Sequence, residues 1–166
     1  MSCKEIKIRK GQHYTRNIRK FGIGRNFSIR RLVIFKPSCR YTLHYPDYLD
    51  INKLFGFTEG FNPHKNSIRV GWRYNKQQDC IDLFHYQYKN GKRDKEFLCS
   101  VDLDTPIEIS IEAKGHIYLT KVERRGLYVE KLSGRSKRSW IHFYLYVYFG
   151  GNMTAPNDME IHICKL

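Results

Sequence analysis

Polar and apolar residues alternate in short runs along most of this chain, and the clearest run is W-I-H-F-Y-L-Y-V-Y-F at residues 140–149. Successive side chains of a β-strand point to opposite faces of its sheet, so alternation divides this run into two sets. The apolar set is Ile141, Phe143, Leu145, Val147 and Phe149, and the polar aromatic set is Trp140, His142, Tyr144, Tyr146 and Tyr148. The sequence therefore predicts a strand whose first set packs in a core and whose second set lines a wet surface. The alternative is an amphipathic strand whose tyrosines simply face solvent.

The same alternation recurs along the chain, and helical periodicity never persists for long. The predicted strands are 27–36, 52–57, 66–74, 80–88, 95–101, 106–112, 116–120, 127–131, 140–149 and 159–164. Turn-forming residues separate them, most clearly Asn90-Gly91. This pattern predicts an all-β domain built from two antiparallel sheets packed face to face.

Three of these strands carry informative faces. In 106–112 the isoleucines at 107, 109 and 111 point inward and Glu108, Ser110 and Glu112 point outward, as in a sheet with one wet face. The faces opposite the core residues of the other two strands are rich in polar and aromatic groups: Ser67, Arg69, Gly71 and Arg73 in one, Asp82, Phe84, Tyr86 and Tyr88 in the other. If these strands are neighbours of 140–149, together they form one basic, tyrosine-lined concave surface.

The net charge of the chain indicates which kind of ligand the predicted surface would bind. The chain of 166 residues has 30 Lys and Arg against 16 Asp and Glu, a formal net charge of +14, which favours polyanionic partners. Residues 1–31 carry ten of the basic residues and one acid, Glu5. We expect a basic N-terminal arm at 1–26, a single domain at 27–166, and either nucleic-acid contact through residues 1–31 or a solvated arm. The arm also holds enough apolar residues to dock as an extra strand or short helix: Ile6, Ile8, Tyr14, Ile18 and Phe21.

The cysteines and the hydrophobic runs bear on location and cofactors. No secretory signal or membrane-length apolar run is present, so we expect a cytoplasmic protein with no membrane association. The five cysteines have no zinc-like or C-x-x-C spacing, and free thiols are the expectation for all of them: Cys3, Cys39, Cys80, Cys99 and Cys164. We therefore expect no metal ion and no cofactor.

Several short motifs stand in a suggestive order. Asn52-Lys53-Leu54-Phe55-Gly56-Phe57 is followed by Gly60, by the segment N-S-I-R-V-G-W-R at 66–73, and by Tyr86-Gln87-Tyr88. The tail Tyr148-Phe149-Gly150-Gly151-Asn152 with Ala155-Pro156 completes the series. This order, over roughly residues 27 to 166, resembles the small alginate and glucuronan polysaccharide lyases of viral and molluscan type. The resemblance implies a β-jelly-roll, concanavalin-like sandwich whose active groove lies on the concave sheet. It also implies functional positions at Lys53, Ser67, Arg69, Tyr86 and Tyr88.

These residue types suit β-elimination from a uronate polymer. Arg69 and Lys53 would stabilise the charge that develops beside the sugar carboxylate. Tyr86 and Tyr88 would exchange the protons, provided that neighbouring cations lower a tyrosine pKa from its usual value of about 10. Ser67 would orient the substrate. Further ligand contacts are predicted at His64, Lys65, Arg73, His142, Tyr144, Tyr146, Tyr148 and Asn152.

Three functions remain open at this point. The first is a lyase that cleaves an acidic polysaccharide. The second is a non-catalytic protein that sequesters a nucleotide or another phosphate-bearing ligand, as in signalling or phage–host conflict, because arginines suit phosphates and tyrosines suit bases. The third is a sequence-tolerant nucleic-acid binder that uses the arm. The common prediction is an anionic ligand in a basic groove, with turnover left open.

Overall fold

The computed structural model describes residues 2–15 and 20–166, and within them it forms twelve β-strands and two short 3-10 helices. The strands are β1 (Ser2–Ile8), β2 (Phe21–Ile23), β3 (Phe27–Phe35), β4 (Asn52–Thr58), β5 (Ser67–Asn75), β6 (Cys80–Lys89), β7 (Lys92–Asp102), β8 (Ile107–Lys114), β9 (Ile117–Arg124), β10 (Leu127–Gly134), β11 (Ile141–Leu145) and β12 (Met159–Lys165). The 3-10 helices are Pro37–Cys39 and Asp47–Leu49. No helix in the described part of the chain is long and apolar enough to cross a membrane.

The strands form two six-stranded antiparallel sheets. The outer sheet has the order β1-β12-β3-β8-β9-β10, and the second, here called the groove sheet, has the order β2-β11-β4-β5-β6-β7. Some neighbours are consecutive in sequence, as in β8-β9-β10 and β4-β5-β6-β7, and others are far apart, as in β12 between β1 and β3, so long crossovers complete each sheet. This arrangement confirms the predicted sandwich of two antiparallel sheets.

The core lies between the sheets and follows the predicted faces. Ile107, Ile109 and Ile111 of β8 are buried, and Glu112 on the opposite face is exposed. From the groove sheet, Trp72 is fully buried and its ring lies 5.3 Å from that of Phe35 on β3. The inward set of β5 is thus apolar, which leaves its other face free for the groove.

Parts of the predicted N-terminal arm belong to the sheets. β1 pairs along its whole length with β12 at the edge of the outer sheet, and β2 pairs with β11 at the edge of the groove sheet. Ile6 and Ile8 are buried in the core, which explains why β1 docks onto β12 as an extra strand. Arg16, Ile18 and Arg19 of the arm lie outside the described residues.

The faces predicted for residues 140–149 are wrong in the first half of the run. His142 is buried and stacks on Phe27 at 3.9 Å, and Tyr144 packs against the core residue Phe57 at 5.2 Å. Phe143 instead pairs with Thr58 on the open face of the groove sheet. The regular strand ends at Leu145, and beyond it the alternation resumes in the opposite phase.

Residues 147–149 show the new phase. Val147 and Phe149 lie in the core, and Tyr148 pairs with Lys53 on the open face. The neighbouring strand β4 has a matching irregularity between Lys53 and Gly56. A strand that loses register by one residue turns every later side chain over, and this is the physical reason for the error.

The prediction of five free thiols is also wrong. Cys3 and Cys164 stand directly opposite each other in the β1–β12 register, and their sulfurs form a disulfide. Cys39, Cys80 and Cys99 are free thiols. The two termini of the described chain are therefore joined covalently at the edge of the outer sheet.

Candidate ligand-binding groove

Arg69 lies at the centre of a cationic site on the open face of the groove sheet. In register it stands between Gly56 of β4 and Tyr86 of β6, and paired residues share a face of the sheet. Burial lowers the pKa of Arg69 to about 10, against the opposing influence of Tyr86, Tyr88 and Tyr148. No carboxylate among residues 2–15 and 20–166 forms an ion pair with this guanidinium.

Gly56 keeps the space beside Arg69 free of a side chain. A Cβ atom at this position would overlap the carbonyl group of Ile68 and the Cα of Arg69. The irregularity in β4 places both Leu54 and Phe55 in the core, so that Gly56 takes the open-face position. The backbone of β4 therefore approaches β5 closely here, which only glycine permits.

Lys53 brings a second cation to the site. Its Nζ atom lies 5.3 Å from the centre of the Tyr86 ring and 5.7 Å from that of Tyr148, and it donates a hydrogen bond to the Gly150 carbonyl at 3.0 Å. Burial, with further contributions from the charges of Arg69 and Arg93, lowers the pKa of Lys53 to about 8. The ammonium ion is thus partly destabilised in the ligand-free protein.

The turn at Gly150 and Gly151 is held by two polar side chains, one at the first residue of β4 and one just before that strand. The Gly150 N–H donates to Asn52 Oδ1 at 2.6 Å, and the Gly151 N–H donates to Asp50 Oδ2 at 3.2 Å. Asp50 is near enough to Lys53 to oppose the lowering of its pKa. The turn therefore presents a fixed carbonyl to Lys53, and the nearby acid is engaged with the turn.

Two tyrosines stand side by side on β6. The Tyr86 and Tyr88 rings are 5.9 Å apart, and Tyr86 is almost completely buried. Burial raises the pKa of Tyr86 to about 12, with a further rise from Tyr88 and a smaller opposing effect of Arg93. The prediction that cations lower this pKa is wrong for Tyr86, because desolvation outweighs them. The Tyr86 phenol is consequently a proton donor at neutral pH.

Arg93 belongs to this site, although the sequence reasoning missed it. It is the register partner of Tyr88 on β7, and its charge acts on both Lys53 and Tyr86. Asn90 and Gly91 both have positive φ, as in the tight turns that close two-residue hairpins. The recognised Asn-Gly turn was the signal that could have found Arg93, since a two-residue loop places residue 93 opposite residue 88.

The loop between β4 and β5 covers one end of the site. Ser67 is fully buried and its hydroxyl donates to the Pro63 carbonyl at 2.6 Å, so it holds this loop down. His64 is exposed, and its ring meets that of Tyr88 edge-on at 5.0 Å. Lys65 is exposed at the end of the same loop. The loop therefore places His64 at the rim, next to the tyrosine pair.

Arg73 lies apart from the cationic site. It pairs with Asp82 at 3.5 Å, and Asp82 also accepts a hydrogen bond from Ser100 at 2.7 Å. Ile51 packs over Gly71, between Arg69 and Arg73 on the same face. Arg73 instead lines a separate cleft of about 450 Å³, which residues 41–43, 48–49 and 73–77 enclose together with Asp82.

The structure thus brings together only part of the predicted site. Lys53, Arg69, Tyr86, Tyr88 and Tyr148 converge, with Arg93 as an addition, and His64 stands at the rim; we call the first five and Arg93 the cationic site. The predicted contacts that lie elsewhere are Arg73 in its cleft, His142 and Tyr144 on the core side, and Asn152 in an exposed loop. The Tyr146 hydroxyl is buried without a hydrogen-bond partner in the described part of the chain.

One further group has a spacing suited to a metal ion. Glu5, Glu160 and His162 lie together on the outer sheet. The Lys7 ammonium is 3.5 Å from a carboxylate oxygen of each glutamate, and His162 hydrogen-bonds to Glu160 at 2.6 Å. The group is therefore an ion-pair network on the opposite side of the sandwich from the cationic site.

Comparison with known proteins bears on the fold. No protein-family model matches the sequence, and no curated protein matches it. Among solved structures, an alginate lyase from Klebsiella pneumoniae is similar with a TM-score of 0.62 and 12% identity over 82% of this chain. A functionally unknown protein from Saccharomyces cerevisiae is similar with a TM-score of 0.58 and 10% identity. This match covers 97% of the present chain and 82% of the yeast protein.

A second lyase gives a weaker match. An alginate lyase from Alteromonas sp. 272 has a TM-score of 0.50 and 6% identity over 83% of this chain and 67% of its own. The present chain spans only 56% of the Klebsiella lyase. The two-sheet architecture and these similarities together establish the fold: the chain is a β-jelly-roll sandwich of the kind found in alginate lyases.

Proposed function

We propose that the cationic site binds an acidic saccharide through its carboxylate groups. The observation that carries this proposal is the set of three neighbouring cations, Lys53, Arg69 and Arg93, with no ion-paired carboxylate among the described residues. Lys53 and Arg69 are half-buried, and Arg93 is exposed. Charges that are removed from water are normally paired, because their desolvation is costly. A ligand carboxylate would supply the missing negative charge and would restore the pKa of Lys53 toward its ordinary value.

The tyrosines favour a sugar as the carrier of that carboxylate. Tyr88 is half-buried on the open face and offers its ring to the apolar side of a pyranose. Tyr86, which is nearly buried, and Tyr148, whose ring stacks on His13 at 5.0 Å, offer hydroxyls to the polar edges of the sugar. The similarity of fold to two alginate lyases supports the same class of ligand, an acidic polysaccharide. The phosphate of a nucleotide would also neutralise these cations, so a nucleotide is the competing ligand.

Cleavage by β-elimination is a second candidate function, and a specific pair of groups favours it. The Lys53 amine, with a pKa lowered to about 8, lies above the ring of Tyr86, whose phenol remains protonated. Above the pKa that Lys53 has with the ligand bound, its amine would accept the proton from the carbon next to the carboxylate, so alkaline pH would favour cleavage. The carbon–oxygen bond to the leaving sugar would then break as a double bond forms, and Tyr86 would protonate the leaving oxygen. Arg69 would stabilise the negative charge that develops on the carboxylate.

The decisive experiment compares ligands that differ only in charge. Calorimetric titration would use an oligouronate, the same oligomer with its carboxyls reduced to alcohols, and a mononucleotide. We expect the oligouronate to bind at least tenfold more tightly than the reduced oligomer, and this preference to disappear in Arg69→Met. Equal affinity for the two oligomers, or a clear preference for the nucleotide, would refute the proposal. Turnover is checked separately by the ultraviolet absorbance of unsaturated product, which Tyr86→Phe should abolish.

A further inference from the structure

An exposed apolar surface lies at the β2–β11 edge of the groove sheet. Phe21 and Ile23 of β2 stand in register with Phe143 and Ile141 of β11, and Phe61 of the β4–β5 loop packs on Phe143 at 5.0 Å. We call these five residues the apolar platform. Ile23 and Phe61 are 74% and 78% exposed. Contiguous exposed apolar side chains often mark a binding surface.

The segments around the platform are anchored by a buried ion pair. Arg135 and Glu59 form two hydrogen bonds, at 2.7 and 3.0 Å, and both side chains are completely buried. Arg135 also donates to the Arg25 carbonyl at 2.9 Å, and Glu59 accepts from the Ser139 N–H at 2.8 Å. The ends of β2, β4 and β11 are thereby fixed to one another, so the platform is held in place before any ligand arrives.

The platform continues the face that carries the cationic site. Phe143 pairs with Thr58, Thr58 with Ser67 and Ser67 with Tyr88, which puts Phe143 three strands, or about 14 Å, from Tyr88 on the same face. The β4–β5 loop lies over this row and touches both ends. Its Phe61 packs on Phe143, and its His64 meets Tyr88. Thr58 and Ser67 are fully buried beneath this loop, so a ligand chain that leaves the cationic site would pass over the loop, beside His64 and Phe61, to reach the platform.

The charge around the platform has one sign. The segments 20–25, 60–65 and 136–141, which carry or flank it, contain no acidic residue. Their basic residues are Lys20, Arg25, Lys65, Lys137 and Arg138. Such a surface complements a polyanion that also presents apolar faces, and a chain of sugar acids does so at every residue.

We propose that the apolar platform binds further sugar rings of the same acidic polysaccharide chain whose carboxylate occupies the cationic site. The ligand is then a polymer long enough to cover both surfaces, and short oligomers bind through the cationic site alone. This inference rests on the proposed function, and it adds the prediction that affinity depends on chain length through Phe61 and Ile23.

Calorimetry with a uronate dimer and a uronate octamer tests this inference. The octamer should bind wild-type protein at least tenfold more tightly than the dimer. In the double variant Ile23→Ser/Phe61→Ser, the affinity for the octamer should fall at least fivefold and the affinity for the dimer less than twofold. The matched control is Leu127→Ser at the edge of the outer sheet, since Leu127 is 80% exposed and remote from the groove; it should change neither affinity.

Several outcomes would overturn the inference. If the octamer binds in an Arg69-dependent manner but Ile23→Ser/Phe61→Ser leaves its affinity unchanged, the platform has another role and the proposed function still stands. If neither uronate binds, both fail. Tighter platform-dependent binding of a single-stranded oligonucleotide, or platform-dependent dimerisation in sedimentation, would assign the surface to a nucleic acid or to a second copy of the chain.

Discussion

Arg69, which is half-buried on the open face of the groove sheet, and Arg135, which is almost completely buried, have opposite surroundings. Arg135 forms an ion pair with Glu59 and donates two hydrogen bonds to its carboxylate. The remaining guanidinium nitrogen donates to two backbone carbonyls. Arg69 has tyrosines around it and no ion-paired carboxylate in the described residues. Burial lowers the pKa of Arg69, whereas the Glu59 carboxylate keeps the pKa of Arg135 above its ordinary value despite burial.

This difference separates a structural charge from a binding charge. A charge that is fully paired inside the protein stabilises the fold and offers nothing to a ligand. A buried charge without a partner is tolerated at a cost in stability, and such costs concentrate at functional sites.

The largest expected effect is on stability. Arg135→Met should lower the free energy of unfolding by about 3–5 kcal/mol, because it leaves the Glu59 carboxylate buried and unpaired. Arg69→Met should leave it unchanged or raise it by about 1 kcal/mol, which corresponds to about 2–4 °C in Tm. Urea unfolding measures both, and Glu59→Gln/Arg135→Met should recover part of the loss. Equal destabilisation by the two single substitutions would contradict the distinction.

The next effect is on affinity. Arg69→Met should weaken oligouronate binding by about 10- to 100-fold, because a charge-assisted hydrogen bond contributes about 1.5–3 kcal/mol. The control is Arg30→Met on the outer sheet, where Arg30 pairs with Glu108; we expect less than a twofold change. A similar loss from both substitutions would indicate that net charge alone drives binding.

A smaller effect is expected from pH. The pKa of Lys53 is lowered to about 8, so its ammonium form is present below pH 8 and is lost as the pH rises through that value. Oligouronate affinity should therefore fall between pH 7 and pH 9, by less than tenfold, since Arg69 remains charged. Lys53→Arg should bind with no such fall. A pH-independent affinity of the wild-type protein would show that Lys53 does not contact the ligand.

The smallest effects test the two faces of β11 and the residues after it. Tyr148→Ala should weaken binding about two- to fivefold, because Tyr148 flanks Lys53 on the open face. His142→Phe should leave binding unchanged, since His142 packs between the sheets against Phe27. Calorimetry at one pH suffices. A loss of affinity in His142→Phe as large as that in Tyr148→Ala would restore the strand phase that simple alternation predicts, in which both rings share one face.

Alternation predicted the faces of β5 and β6 because Ile68 and Val70 on β5, and Ile81 and Leu83 on β6, are aliphatic core residues that alternate with mostly polar ones. It failed at residues 140–149 because both sets carry large rings that tolerate burial, and the shift of phase after Leu145 leaves no sign in the sequence. The resemblance to lyases pointed to Lys53, Arg69 and Tyr86, which the structure brings together.

Other features depend on contacts between distant parts of the chain. The Glu59–Arg135 pair joins residues that no local pattern relates, and the Cys3–Cys164 bond depends on the register of the first and last strands. The pKa of Tyr86 reverses the sequence expectation because burial, which composition does not reveal, outweighs the nearby cations.

The most direct test of the cationic site is an NMR titration of Lys53, followed through its side-chain carbon resonances and assigned with Lys53→Arg. We expect a pKa near 8 in the free protein and a clear rise when an oligouronate is bound, since the ligand carboxylate then stabilises the ammonium ion. An ordinary lysine pKa of about 10.4 in the free protein, or a lowered pKa that saturating oligouronate leaves unchanged, would contradict it.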